Sequence, residues 1–318
     1  MARLTNNTGV PLSLAVWLAT DEYRYDEREN AISATSLIKP LKQLILGARA
    51  NKVEGATADI INVAKSRLGA AIHKSIEDSW IQNGKEALKA LGYPPRMAER
   101  LVINPTEVTP DILPVFIEQR AEREIDGFIV TGQYDLVING ELNDTKSTTV
   151  FAYMKKLNVP KWIQQGSIYR WLSPDKIHDD HLHVGYVLTD WKRSGVGSSV
   201  DYPVAPVLGE RYPLLPVDET ERLIRTRLQE IKRYWNAPES QIPDCTDEDL
   251  WRDPPTYKYF SKAENTRATK NFNSLAEAMM FQASKGGAGE IRTVLGTPTA
   301  CQFCAGFAIC SQKNNYYS

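Results

Sequence analysis

The stretch Gly132-Gln-Tyr-Asp-Leu-Val-Ile-Asn-Gly-Glu-Leu-Asn-Asp-Thr-Lys146 places two carboxylates and an ammonium around one tight bend. Asn139-Gly140 is the strongest short hairpin signal, because a type I′ turn needs positive φ at both central residues. A two-residue loop fixes the register: Ile138 faces Glu141 and, counting outward, Asp135 faces Asp144. Opposed residues hold their Cβ atoms about 4.5–5.5 Å apart. Two like charges about 4 Å apart repel by roughly 1–4 kcal/mol, so the pair is unfavourable until a divalent cation sits between its members. Strand periodicity puts Leu142, Asp144 and Lys146 on one face, with Glu141 and Asn143 on the other. Asp144, rather than Glu141, is therefore the expected second carboxylate, with Lys146 beside it. That set suits metal-assisted attack of water on a phosphodiester, the ion polarising the phosphoryl oxygen and the lysine offsetting the developing charge. The bland alternative, a surface hairpin with solvated acids, is disfavoured by the direct opposition of like charges.

Two pairs at i, i+4 flank the hairpin, each on one face of a predicted helix. Upstream they are His73 and Glu77 in Gly69-Ala-Ala-Ile-His-Lys-Ser-Ile-Glu77; downstream, Gln165 and Tyr169 in Gln-Gly-Ser-Ile-Tyr. Taken singly, a histidine beside an apolar stripe is more often structural, and a Gln/Tyr pair is common by chance. All four cysteines lie in the last quarter, as Cys245 and then Cys301, Cys304 and Cys310 spaced C-x2-C-x5-C. A secreted scaffold would be short and cysteine-dense, so these look like ligands of one metal centre.

Together these residues resemble a family. Asp135 … Asp144-Thr145-Lys146 resembles the D…(D/E)-x-K core of the PD-(D/E)XK nucleases. The His73 stretch resembles the first motif of their RecB-type branch, and Gln165 … Tyr169 its Q-x-x-x-Y motif. The terminal cysteines are similar to the iron–sulfur version found in AddB-type helicase-nucleases and CRISPR adaptation nucleases. One departure is that the family's first cysteine precedes the His motif, where Ser36-Leu-Ile-Lys-Pro40 has none, leaving Cys245 as the fourth thiol.

The resemblance implies an α/β chain with a PD-(D/E)XK restriction-endonuclease-like core, a mixed central sheet flanked by helices, and a C-terminal cysteine-cluster region. His73, Asp135, Asp144 and the Thr145 carbonyl would hold Mg2+ or Mn2+, and Lys146 would assist the attacking water. Gln165 and Tyr169 would position the substrate. Cys245, Cys301, Cys304 and Cys310 would hold a 4Fe-4S cluster, although a structural Zn2+ with four thiolates fits the count equally well. The implied activity is exonucleolytic, on single-stranded DNA or free DNA ends, in repair or recombination and with room for a helicase partner. The alternative is a non-catalytic DNA-binding or assembly protein with a structural four-cysteine site.

Elements to position these groups can be read from periodicity. Residues 34–49 and, more strongly, 56–82 show apolar residues at helical spacing. Residues 104–114 are proline-rich and read as a loop. A helix pair is expected at 149–157 and 160–172, broken at Val159-Pro160. Residues 182–188 alternate as a strand, 194–206 form a loop, and 217–235 form an amphipathic helix whose acids come first and bases last. The division expected is a nuclease core over 1–235 and a metal-cluster region over 236–318.

Length and charge set the outer bounds. The 318 residues suffice for one large domain or two ordinary ones. With 42% hydrophobic and 24% charged residues, general disorder and fibrous architecture are excluded. The net charge of −1 means that DNA would have to be met by local basic patches. Candidates are Lys155/Lys156/Lys161, Arg222/Arg225/Arg227/Lys232/Arg233 and Lys258/Lys262/Arg267/Lys270, the first and last with aromatics alongside. Pro11–Ala19 is about half a membrane span, and reads as the buried face of a helix in an intracellular protein. His178, His181 and His183 lack a readable second ligand shell, and Lys285-Gly-Gly-Ala-Gly lacks a phosphate-loop ending, so no ATPase is expected. Oligomeric state leaves no mark in the sequence.

Overall fold

The structure is a computed structural model and describes residues 3–21, 26–50 and 57–317. Its first elements are strand β1 (Arg3–Thr5), helix α1 (Leu12–Ala19), β2 (Ala31–Ser33), α2 (Ala34–Leu37), α3 (Leu41–Ala50) and β3 (Thr57–Asp59). Then come α4 (Ala64–Ala90), α5 (Pro95–Glu99), β4 (Leu101–Ile103), β5 (Leu113–Ile125), β6 (Phe128–Ile138) and β7 (Glu141–Thr148). The chain continues with α6 (Val150–Met154), α7 (Val159–Leu172), β8 (His181–Leu188), β9 (Val207–Pro213) and α8 (Val217–Tyr234). It ends with β10 (Thr256–Phe260), β11 (Lys270–Phe272), α9 (Leu275–Ser284) and β12 (Glu290–Val294). Contacts divide it into two compact units, one of Ala2–Lys39 with Thr57–Lys232 and one of Pro40–Ala56 with Arg233–Ser318.

The larger unit is built on a curled mixed sheet in the order β4-β5-β6-β7-β8-β9, with β2 added in parallel beside β6. Strands β7 and β8 run parallel; such neighbours need a crossover, which α6 and α7 supply. On one face, Leu88 at the end of α4 packs with Ala98, Leu101, Val115 and Ile117, joined by Trp80, Leu136 and Ile138. Leu142, paired with Val137, points to the opposite face. A side chain at Gly166 would run into Leu142, Leu182 and Leu214, so the glycine lets α7 sit directly on that face.

Local chemistry explains where the elements stop. The long helix starts later than its periodicity suggests: Asp59 accepts from Ile61 N at 3.0 Å, and Ile60–Val63 form a 3-10 turn first. It runs on to Ala90 because good helix formers continue, and ends at Gly92, whose φ of 83° suits a C-terminal cap. The single helix expected over 34–49 is two, parted at Pro40, which has no N–H to give. Pro160 does not break a helix but lies in the first turn of α7, where its missing N–H costs nothing; the break sits earlier, at Lys156 with φ 51°.

Pro11–Ala19 departs most from expectation. The helix forms, but Leu12, Leu14, Val16 and Trp17 are exposed and only Leu18 is buried. No helix among the described residues is long and apolar enough to cross a membrane.

In the smaller unit, β11-β10-β12 form an antiparallel sheet whose Tyr259 and Phe272 pack on Ala278 of α9. Helix α3 contributes Lys42, 3% exposed, whose ammonium pairs with Glu239 at 2.7 Å and Asp244 at 2.6 Å. Gln312 is buried and clasps Cys245 through both its backbone N and O, at 2.9 and 2.8 Å.

Candidate active site

The hairpin forms as its turn residues require. Asn139 and Gly140 have φ of 49° and 90°, and Ile138–Glu141, Val137–Leu142 and Leu136–Asn143 pair in the expected register. The ladder stops there, one step short of Asp135 and Asp144. Beyond it, β7 pairs with β8 from Leu142 to Thr148.

Side-chain alternation in β6 slips at the same place. Tyr134 packs edge-on against Tyr169 of α7, with ring centroids 6.2 Å apart, whereas Leu136 joins the cluster under α4. Residues two apart on a regular strand share a face, so the strand turns over around Asp135. On the neighbouring strand Ile117 pairs with Leu136 and Gln119 with Tyr134. Glu118 therefore stands opposite Asp135, and its φ of 50° is a strained value for a non-glycine residue.

The turn-over aims Asp135 at α4. His73 Nδ1 lies 3.0 Å from Asp135 Oδ2, and Thr145 N donates to the same oxygen at 3.3 Å. Ligand atoms of His73, Glu118 and Asp135 all come within 4.8 Å of one another. The three line a cavity of about 20 Å3, room for one water molecule or a small ion. The hydrogen bond to Asp135 holds the His73 imidazole above its ordinary pKa. Burial, then the charge of Asp135, pushes Glu118 up, although Gln133 Nε2 donates to it at 2.6 Å. An imidazole and a carboxyl group that hold protons more tightly than usual, converging with Asp135 on one small cavity, form a candidate cation site.

Asp144 and Lys146 form a second, adjoining group. Asp144 is buried, and burial pushes its carboxyl up while Lys146 pulls it down and Asp135 adds to the rise. Its Oδ2 lies 2.7 Å from Lys146 Nζ, but no donor is aligned to it as a hydrogen bond. A buried carboxylate oxygen left with one off-line ammonium fits a further cation on the Asp135 side. Lys146 Nζ also donates to Gln165 Oε1 at 3.4 Å, and Gln165 Nε2 donates to Tyr169 Oη at 2.8 Å. The Trp162 ring centroid stands 5.8 Å from the ammonium. Tyr169 is buried, so this pair holds the lysine from inside.

All the residues singled out on the hairpin and its two flanking helices thus fall in one region, yet not as a simple facing pair of aspartates. Glu118 was missed by sequence reading. Counting across to the preceding strand would have found it, had Leu113–Ile125 been recognised as a strand.

The cysteines behave differently. All four are half-buried, and burial, then Asp249 and the other thiols, pushes Cys245 up to about 12. Among the described residues no three sulfurs come within 4.8 Å of one another, so the 4Fe-4S cluster and the four-thiolate zinc gain no support from the arrangement. Thiols that keep their protons are poor ligands. Asp179, Asp180 and His181 do gather, but Arg211 already pairs with Asp179 at 3.2 Å. Of the basic clusters, the middle one is largely committed within the fold: Arg222 pairs with Asp218, Arg225 with Asp126 and Glu221, and Arg227 with Glu230.

No family model and no curated protein matches the chain. Among solved structures, the protein SSO0001 aligns over 64% of this chain and 78% of its own, with 14% identity and a TM-score of 0.41. A phage-related exonuclease from Haemophilus somnus 129PT aligns over 67% of this chain and 96% of its own, with 14% identity and a TM-score of 0.29.

Proposed function

We propose that this protein is a metal-dependent DNA nuclease with a PD-(D/E)XK-type core, acting as an exonuclease on single-stranded ends. One observation carries the proposal: His73, Glu118 and Asp135 converge within 4.8 Å beside the buried Asp144–Lys146 ion pair. Acids and an imidazole raised in pKa, next to an ammonium that touches a carboxylate, are the parts for water attack at a phosphodiester.

His73, Glu118, Asp135 and Asp144 would hold Mg2+ or Mn2+, with the Thr145 carbonyl close by. When bound, the ion supplies Lewis-acid polarisation of the phosphoryl oxygen and a more acidic water. Lys146, held by Asp144, Gln165 and the Trp162 face, places a fixed positive charge where the phosphate gathers negative charge. Tyr169 anchors Gln165, and so the lysine, from the core. Glu118, freed of its proton, and Asp135 would be the bases nearest the nucleophile.

Labelled single-stranded DNA with Mn2+, and then with EDTA, tests this directly. Metal-dependent shortening from the ends by wild type, abolished in Asp135→Asn and Asp144→Ala, is expected. Equal DNA loss in the variants would sink it. For the cysteines, the C-x2-C-x5-C spacing alone supports a thiolate-held metal group, iron–sulfur before zinc. Its binding would have to strip protons and draw the sulfurs together. Anaerobically purified protein without iron or zinc would remove it.

A further inference from the structure

We infer that the α6–α7 crossover carries the single-stranded substrate beside the catalytic lysine, with Lys161 and Lys155 on its phosphates and Phe151 under one unpaired base. The inference rests on the nuclease proposal and names the side on which its DNA lies. Charge decides that side. Between Asp144 and Asp175 the chain has no Asp or Glu, against Lys146, Lys155, Lys156, Lys161 and Arg170. The flank formed by α4 instead presents Glu77 and Asp78, with Lys74 already paired to both at 3.2 and 2.8 Å. Phosphates approaching the acidic cavity meet repulsion over α4 and attraction over the crossover.

The five cations divide by their partners. Lys146 is paired with Asp144 at 2.7 Å. Lys156 bonds to Glu210, which also accepts from Tyr153 Oη at 2.7 Å, and so pins α6 to β9. Arg170 donates to the Leu215 carbonyl at 2.6 Å. Lys155 and Lys161 are left: neither ammonium makes an ion pair or hydrogen bond among the described residues, and neither residue is buried. Phe151, 63% exposed, stands one helical turn from Lys155 on the same face. Cations beside an open aromatic ring suit a single strand, whose phosphates take the charges while a base stacks on the ring. Core packing accounts for neither the ring nor the two lysines.

Helical spacing ties this surface to the site. Lys161 and Gln165 lie at i, i+4 on α7 and share a face, and Gln165 accepts from Lys146 at 3.4 Å. One turn rises about 5.4 Å, the span of one or two nucleotides at about 3.4 Å each. Lys161 therefore meets a phosphate one or two positions from the one being cut. Lys155 lies beyond the left-handed turn at Lys156, φ 51°, and takes a phosphate further along.

Binding of a fluorescein-labelled twelve-residue oligothymidylate in EDTA, titrated with salt, tests this without cleavage. Each phosphate contact on a single strand adds about 0.7 to the slope of log affinity against log salt. Lys161→Ala and Lys155→Ala should each flatten the wild-type slope by about that amount and weaken binding about 3- to 10-fold near about 0.1 M salt. Lys161→Arg should restore both. Phe151→Ala should weaken binding about 5-fold or more and leave the slope unchanged, since stacking releases no counterion. Lys74→Ala, on the acidic flank, should not flatten the slope. A wild-type slope in both lysine variants, or equal flattening in Lys74→Ala, overturns this surface for a wild type that still cuts DNA. Phe151→Ala at wild-type affinity, or oligoglutamate competing as well as DNA, overturns the single-stranded occupant. Wild type that binds with this lysine dependence but never cuts supports the surface and removes the nuclease. No DNA binding by wild type removes both.

Discussion

Glu118 stands opposite Asp135 on the neighbouring strand, and both carboxylates approach the His73 imidazole. Removing any one of the three should weaken Mn2+ binding, measured by titration calorimetry. Asp135→Asn should also lower the cleavage rate on the order of 10²–10³-fold, the usual scale for losing a group aimed at developing charge. Glu118→Gln should fall in the same range if the glutamate is a ligand. Retention of full metal affinity in Glu118→Gln would remove it from the site.

Asp144 is buried beside Lys146, and burial raises its carboxyl pKa while the lysine pulls it down. An amide of the same shape imitates the neutral form. Metal-free Asp144→Asn should therefore melt higher than wild type above about pH 6, by roughly 2–4 °C, the shift that about 1 kcal/mol gives. The gap should close as pH falls through the raised Asp144 pKa, where wild type takes up its proton. The same variant should be inactive at every pH.

Proton and metal compete at this site, and the direction can be worked out. His73, Glu118 and Asp144 all have raised folded-state pKa values. Without metal, each contributes stability that is present below its ordinary value and lost as pH rises through its raised one. Metal binding needs the protons gone, so affinity should climb with pH and keep climbing above the ordinary histidine value of 6.5. Melting curves with and without Mn2+ should accordingly separate further at about pH 8 than at about pH 5.5. A constant separation would contradict the shared-proton picture.

Gln165 accepts from Lys146 and donates to Tyr169. Gln165→Ala and Tyr169→Phe should lower kcat about 10- to 100-fold and about 3-fold respectively, with KM little changed, as for groups that orient a catalytic residue. Gel assays under single-turnover conditions would separate the two parameters.

The turn is equally testable. Gly140 has φ 90°, and an added Cβ would strike the His178 ring. Gly140→Ala should cost about 1–3 kcal/mol from the backbone alone, seen as a lower Tm in thermal unfolding and a lower activity at all metal concentrations.

The hairpin turn and its first pairs were legible before any coordinates. Asn139-Gly140 set the register because few other dipeptides accept positive φ twice, whereas His73, Gln165 and Tyr169 were singled out by the family resemblance, helical spacing giving only the i, i+4 pairing. The sequence could not show that the ladder ends at Leu136–Asn143 or that β6 turns over at Asp135. The turn-over lies opposite Glu118, whose left-handed φ local propensity would never assign to glutamate. Leu113–Ile125 escaped notice as a strand because Pro114 and its run of charged residues mask the alternation. In α1 the composition said buried and the fold left Trp17 outside.

The buried ammonium of Lys42 has its own history during synthesis. Helix α3 leaves the ribosome long before Glu239 and Asp244 exist, so the counter-charges of Lys42 arrive only about 200 residues later. Until then the lysine must stay in water, and α3 cannot settle. A protein shortened at residue 235 would strand that helix for good and should be prone to aggregate, however sound its catalytic half.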